Sequence, residues 1–250
     1  MNEYLKNLKR IEFEVTLACT GRCKHCSQGG HESASGHIDA DIAVKAVREI
    51  CANYRIESLM TFGGEPLLYP DTVCAIHRVA AGLGIRKRQV ITNGYFSRNR
   101  DRIAEVARNL SESGVNNLLL SVDAFHQETI PLEPVMFFAE CAVKEGIPIK
   151  LQPAWLVSAE NGNPYNNRTR ELIAEFDHLN IPLNGGNVIF PSGNALKYLA
   201  EYFVEGASPV SPYDEDPFDV RTVSFSPSGD VLNGNIYEKA ILDIISDYRP

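Results

Sequence analysis

Cys19, Cys23 and Cys26 fall within eight residues, in the spacing Cys-x3-Cys-x2-Cys. Thiolates so close together can hold one soft metal centre. Their number leaves such a centre incomplete, because a cubane iron–sulfur cluster held by three cysteines has one iron still open to bind something else. An open iron is a place for chemistry. His25, between Cys23 and Cys26, allows a second reading as a structural zinc site, since Cys3His is a common zinc set. Adjacent residues rarely both reach one metal, however. A plain electron-transfer iron–sulfur module is a third reading, and it would ordinarily take four protein ligands.

Further segments carry residues suited to chemistry. Gly63 and Gly64 lack a Cβ and let backbone approach a ligand closely. The carboxylate of Glu65 can accept hydrogen bonds from a cationic amine, while Pro66 equally marks a helix start after a strand-to-helix turn. Thr92, Asn93 and Gly94 close another apolar run, and Asn-Gly is also an ordinary turn. Ser121 and Asp123 project to one side of a strand, so a hydroxyl and a carboxylate can meet a diol or an amine together; alternatively, Asp123 caps the helix that follows. Lys150, Gln152 and Asn187 are polar residues on strands, as are Glu14 and Thr16, and each needs a partner if it faces an interior. His31 and His126 fall on loops beside these segments, whereas His77 and His178 fall within helical patterns. No residue is singled out as the catalytic group.

A repeating pattern positions these segments. Residues 11–17 alternate apolar and polar with period two, a strand that ends just before Cys19. Phe13, Val15 and Leu17 form its packing face, and Glu14 and Thr16 its inner face. A Gly/Ser/His-rich loop over 28–37 precedes a helix begun by Asp39 or Asp41, with Ala43, Val47, Ile50, Cys51 and Tyr54 as its apolar stripe. The step then repeats: strand 58–62, helix 71–82, strand 89–92, helix 99–110, strand 115–122, helix 133–144, strand 149–156, helix 169–178 and a short strand 188–190. Such alternation implies parallel strands joined by crossover helices, with functional loops gathered at the C-terminal strand ends. The segments above sit at those ends. Six units fall short of a closed eight-unit barrel, which predicts an α/β fold, a partial (βα)6 TIM-like barrel.

Beyond Pro191 the character changes. A helix over 195–203, a Pro/Asp/Ser-rich stretch over 208–219, strands at 221–225 and Val231 around a turn at 227–230, and a helix over 238–245 predict a small C-terminal β-hairpin/helix extension. The chain divides into a barrel over 1–190 and a cap over 191–250. Cys51, Cys74 and Cys141 lie on helices and read as small buried hydrophobes. No cysteine follows Cys141.

With 250 residues and 44% hydrophobic content the chain can bury a full core. Lys and Arg total 24 against 32 for Asp and Glu, a net charge of -8 that argues against a nucleic-acid partner. The consecutive Arg86, Lys87 and Arg88 read as a solvated strand entry. Neither a signal-peptide stretch nor a membrane-spanning run is visible, so a cytoplasmic protein without a membrane partner is expected. Reducing conditions there favour metal ligation over disulfides for the clustered thiols.

The cysteine spacing, followed by Gly63-Gly64-Glu65-Pro66 at the next strand end, resembles the radical S-adenosylmethionine (SAM) superfamily over roughly residues 11–190. The resemblance implies that Cys19, Cys23 and Cys26 bind one 4Fe-4S cluster and that its unique iron takes the amino and carboxylate groups of SAM. It further implies SAM contacts at Gly63, Gly64, Glu65, Pro66, Asn93, Ser121, Asp123 and Gln152. His25 stands where the family usually has an aromatic residue near adenine. The implied activity is reductive cleavage of SAM to a 5′-deoxyadenosyl radical that abstracts hydrogen from a substrate, with a flavodoxin or ferredoxin-type electron donor as partner.

Within that resemblance, residues 191–195 are similar to the Pro-x-Gly-Arg-Ala segment of members with a SPASM/twitch extension. Residues 226–231 and 234–239 look like parts of that extension, yet Leu232, Asn233 and Gly234 stand where a cluster cysteine is expected. No auxiliary cluster is predicted. The likeness to peptide maturases suggests a peptide substrate, and a small-molecule metabolite is the alternative.

Overall fold

Ile11 and Phe13 point to one side of strand β1 (Arg10–Glu14) and are fully buried, whereas Arg10, Glu12 and Glu14 point to the other and are half-buried. That period-two pattern recurs around one parallel sheet in a computed structural model that describes residues 2–30, 36–203 and 214–250. In chain order the elements are β1, α1 (Ala40–Asn53), β2 (Ser58–Phe62), α2 (Pro70–Gly82), β3 (Lys87–Thr92), α3 (Arg100–Glu112), β4 (Asn117–Leu120), the single turn α4 (Ala124–Gln127) and α5 (Leu132–Lys144). There follow β5 (Ile149–Leu151), β6 (Ala154–Trp155), α6 (Pro164–Ala174), β7 (Asn187–Val188), α7 (Gly193–Tyr198), β8 (Thr222–Phe225), β9 (Asp230–Val231), β10 (Gly234–Asn235) and α8 (Ile241–Asp247).

Six strands form the parallel sheet in the order β5-β4-β3-β2-β1-β8. Helix α1 packs on α2, and α3 on α5. Their apolar stripes meet Leu59, Val90, Leu118 and Leu120 of the strands in one core, so the α/β class and the barrel-like layering follow the predicted pattern. The opposite face of the sheet is the lumen. Asp39 caps α1 by accepting from the Ile42 amide, and Asn99 caps α3 by accepting from the Asp101 and Arg102 amides.

Several elements differ from expectation for identifiable reasons. The first strand stops at Glu14 rather than 17, because Thr16 and Ala18 turn their carbonyls to the Gly64 and Glu65 amides. Leu17 is consequently 38% exposed instead of packing on helices. The strand expected over 149–156 breaks into β5 and β6 around Pro153, which has no N–H for a ladder. The next helix begins five residues early at Pro164, behind the cap of Asn163, a start signal that the pattern reading passed over.

The largest difference lies at the sheet edge. Residues 187–188 pair with β6 in a separate two-stranded sheet, and the sixth strand of the main sheet is β8, parallel to β1. Phe13 stacks on Phe225 at 4.7 Å between ring centres, which fastens this joint. The hairpin expected of 221–225 with Val231 is formed by β9 and β10 instead. The segment expected as a cap over 191–250 thus supplies an edge strand of the barrel sheet. Arg86 and Lys87 are exposed, as expected, but Arg88 turns back to the carbonyls of Ile85 and Gly114. His77 is fully buried with its Nε2 3.0 Å from the Thr61 hydroxyl, so it packs the core. Among the described residues no helix is long and apolar enough to cross a membrane.

Candidate functional site

The loop between β1 and α1 carries the three cysteines at the C-terminal end of the sheet. Cys23 is buried, Cys19 and Cys26 are half-buried, and no cysteine is in a disulfide. Burial pushes all three thiols up, Cys19 to about 11. Such thiols stay protonated unless a cation stabilises their thiolates, which is what a bound metal centre does. The donor set therefore fits a soft metal centre. Around Cys19, the Gly21 amide lies 3.3 Å and the Asn93 Nδ2 3.6 Å from the sulfur, both donating to it.

Gly63 and Gly64 stand at the exit of β2 and press against the stem of the cysteine loop. A Cβ on Gly64 would lie 2.2 Å from the Ala18 carbonyl oxygen, and one on Gly63 2.4 Å from that of Thr16. The close approach that requires glycine is thus backbone on backbone, sealed by the Gly64 amide donating to Thr16 (2.7 Å) and the Glu65 amide to Ala18 (2.8 Å). Gly63 also sits at φ 141, a conformation suited to glycine. Pro66 opens a 3-10 turn at Pro66–Leu68.

The Glu65 carboxylate is fully buried and turned inward. Oε1 accepts from the Leu67 amide (2.9 Å) and the Thr92 hydroxyl (2.7 Å), and Oε2 from the Asn93 amide (2.8 Å). Burial raises its carboxyl to about 7 against the pull of those donors. Glu65 thereby ties the exit of β2 to that of β3. Thr92, its partner, ends β3 and donates its hydroxyl to this carboxylate, a link between strand ends that local spacing does not show. The Asn93 side chain bridges back to the Thr20 hydroxyl at 3.2 Å.

At the exit of β4, Asp123 is also fully buried. Oδ1 caps α4 through the Phe125 and His126 amides, and Oδ2 accepts from the Ala154 amide and meets His126 Nδ1 at 2.8 Å. Burial would push this carboxyl up, but the neighbouring His126 holds it well below the usual range. The capping role, which the sequence left open beside a ligand role, is the one the hydrogen bonds fill. Held by Asp123, His126 brings one ring nitrogen within 4.8 Å of a ring nitrogen of His25 and the Cys23 sulfur. His25 packs against Phe125 and His126, its Nδ1 is buried without a partner, and burial together with the charge of His126 lowers it to about 4.

Ser121 is 7% exposed beside these groups and its amide bonds the Thr92 carbonyl. Gln152 is buried and bonded to Asn184. His31 lies outside the described residues. Thr16 does not face the lumen openly, since its hydroxyl bonds the Gly36 carbonyl. The lumen itself holds Arg10, Lys87 and Lys150. Arg10 pairs with Glu12 and donates to Gln89, and partial burial with the charges of Arg10 and Lys150 lowers the Lys87 ammonium. Glu14, nearer the cysteines, is raised to about 7 by burial and bonded by Gln28.

Comparisons with known proteins agree with this geometry. The family model of the radical SAM superfamily matches residues 13–149, more than half of the chain. GTP 3′,8-cyclase of Vibrio parahaemolyticus is 28% identical over 127 residues, covering 48% of this chain and 36% of the relative. The same enzyme of Geobacter sulfurreducens is 27% identical over 131 residues, 52% of this chain and 38% of the relative. The match therefore spans little more than a third of those relatives' length. Among solved structures, anSMEcpe with bound AdoMet superposes with a TM-score of 0.62 at 13% identity, covering 97% of this chain and 81% of that one. BtrN in complex with AdoMet and 2-DOIA does so at 0.52 and 17% identity, over 96% and 82%. At these identities the structures establish the fold, a partial barrel of the same kind.

Proposed function

The chain belongs to the radical SAM superfamily of enzymes, whose cofactors are a 4Fe-4S cluster and SAM, and from that premise we propose that it cleaves SAM reductively to abstract hydrogen from a substrate held in the lumen. The observation that carries this reading is the loop that brings three buried or half-buried thiols to the C-terminal end of the sheet, its stem braced against Gly63-Gly64. Cys19, Cys23 and Cys26 would hold three irons and leave the fourth for SAM. When bound, the cluster supplies the electron, received from a flavodoxin or ferredoxin-type donor, that splits SAM into methionine and a 5′-deoxyadenosyl radical.

The chain's own residues bind and orient. The Gly63-Gly64 backbone, Asn93, Ser121 and His25 would contact SAM beside the cysteine loop. Glu65 and Asp123 act one step back, holding Asn93 and His126 in place through the bonds described above. Pro66 sets the turn behind the glycines, and Gln152 closes the far wall through Asn184. For the substrate, the cations Arg10, Lys87 and Lys150 on the lumen face favour a small molecule bearing a phosphate or carboxylate over the peptide that the C-terminal likeness suggests. The curated relatives' substrate, GTP, is such an anion.

Anaerobic reconstitution with iron and sulfide, then reduction with SAM present, tests the proposal. Release of 5′-deoxyadenosine by the wild type, and its complete loss in Cys19→Ala/Cys23→Ala/Cys26→Ala, is the expected result. A fully formed cluster that releases none, or tightly held zinc in the protein as isolated, would sink it.

A further inference from the structure

The C-terminal segment that carries no cysteine reaches back to the cysteine loop. Ser192 donates its hydroxyl to the Ser27 carbonyl at 3.1 Å. Gly193 sits at φ 50, and a Cβ there would lie 2.4 Å from the Ser27 and 2.5 Å from the Cys26 carbonyl oxygen. Asn194 donates its amide N–H to the Cys26 carbonyl at 2.9 Å, and its Nδ2 to the carbonyls of Cys23 at 3.1 Å and Gly29 at 3.4 Å. The Cys23 and Cys26 carbonyls already accept the Cys26 and Gly29 amides, so Asn194 takes the second acceptor site of each.

The other side of this segment is anchored. Ala195 and Leu199 are fully buried in one cluster with Phe125 of α4, Ala154 of β6, Leu156 just after β6 and Ile189 just after β7. Asn194 therefore joins two of the three cysteine carbonyls to the rigid wall that also holds Asp123. Resting on the cluster reading above, we propose that Asn194 is a positioning residue for the metal loop. It fixes the backbone of Cys23 and Cys26 before any metal is bound, and Gly193 is glycine so that this clamp can close. The conformational freedom that a free loop would lose on binding its metal is thus already removed.

The test reads iron retention. Reconstituted protein is mixed anaerobically with an excess of an iron chelator, and the rate of iron loss is followed by absorbance. Asn194→Asp keeps the shape but turns an acceptor toward the Cys23 and Gly29 carbonyls; iron loss at least about tenfold faster is expected, given two lost hydrogen bonds of ordinary strength. Asn194→Ala, which only removes the donors, should fall between it and the wild type and serves if the aspartate variant does not fold. Both should alter the electron paramagnetic resonance spectrum of the reduced cluster. Asn235→Ala, which removes bonds to Ser228 and Asp230 in the distal hairpin, should lower the melting temperature without changing iron loss. Wild-type rates and spectra in both Asn194 variants would overturn the clamp. If instead the triple cysteine variant retained iron like the wild type, the cluster reading itself would fall.

Discussion

At the C-terminal strand ends the buried carboxylates are committed to the protein itself, whereas two lysines of the lumen, Lys87 and Lys150, have no bonded partner among the described residues. Glu65 accepts three hydrogen bonds and Asp123 four, all from within the chain. In the lumen, Arg10 is bonded to Glu12, Ser58, Gln89 and the Met60 sulfur, while Lys87 is lowered by partial burial and by the charges of Arg10 and Lys150. The difference teaches where each kind of recognition resides. The strand-exit end is a frame whose polar groups hold backbone in place, and the lumen keeps two lysines free of bonds to the other described residues. A preorganised frame suits a cofactor common to many reactions, and unpaired charge suits selection of one substrate.

The comparison breaks most visibly if Asp123 is removed. Asp123→Ala leaves two buried and one part-buried backbone amide, and the His126 ring, without their acceptor, and a loss of about 3–5 kcal/mol in urea unfolding is expected. A loss under about 1 kcal/mol would mean that the exit of β4 does not depend on this carboxylate.

A proton should distinguish Glu65 from an ordinary surface acid. Its pKa of about 7 in the folded protein exceeds the usual 4.5 because burial disfavours the charge. The folded state therefore holds the proton more tightly than the unfolded one. Stability from this source is complete below pH 4.5 and is lost as pH rises through 7, at up to about 1.4 kcal/mol per pH unit. Urea midpoints of the wild type should fall between pH 5 and 7, and Glu65→Gln should flatten that slope while costing about 1–3 kcal/mol throughout, since an amide cannot accept on both sides. Equal slopes in the two proteins would contradict the assignment.

The smallest effect is expected at the other end. Lys87→Gln/Lys150→Gln should change unfolding free energy by less than about 0.5 kcal/mol, because no internal bond is lost. Inorganic pyrophosphate should raise the melting temperature of the wild type but not of this variant. A pyrophosphate response that survives the double substitution would separate anion binding from the lumen cations.

Much of the barrel was legible because period-two and helical spacing record which faces are buried, and the cysteine spacing with Gly63-Gly64 marked the site. The chain order of strands and helices, the cap at Asp39 and the burial of Cys74 and Cys141 all follow from local pattern. The functions of individual site residues were less legible. Glu65 and Asp123 read as ligand groups; beside local bonds to Leu67, Phe125 and His126, each is also bonded by residues some tens of positions away, Thr92 and Asn93 for Glu65 and Ala154 for Asp123. Gly63 and Gly64 read as a backbone that a ligand can approach, and the close approach recorded at their Cβ positions is that of the Thr16 and Ala18 carbonyls.

What the sequence determined by itself is therefore the chemistry on offer: three thiols at one strand exit, and polar residues at the others. Those facts depend on residue type and short-range spacing alone. Tertiary structure decided which polar groups remain for ligands, because hydrogen-bond partners are settled only when distant strands meet. It also decided that the C-terminal segment completes the sheet through β8 and reaches the cysteine loop through Asn194. Neither contact leaves a periodic trace, since a parallel strand pair and a side-chain clamp across some 170 residues are products of chain topology rather than of local pattern.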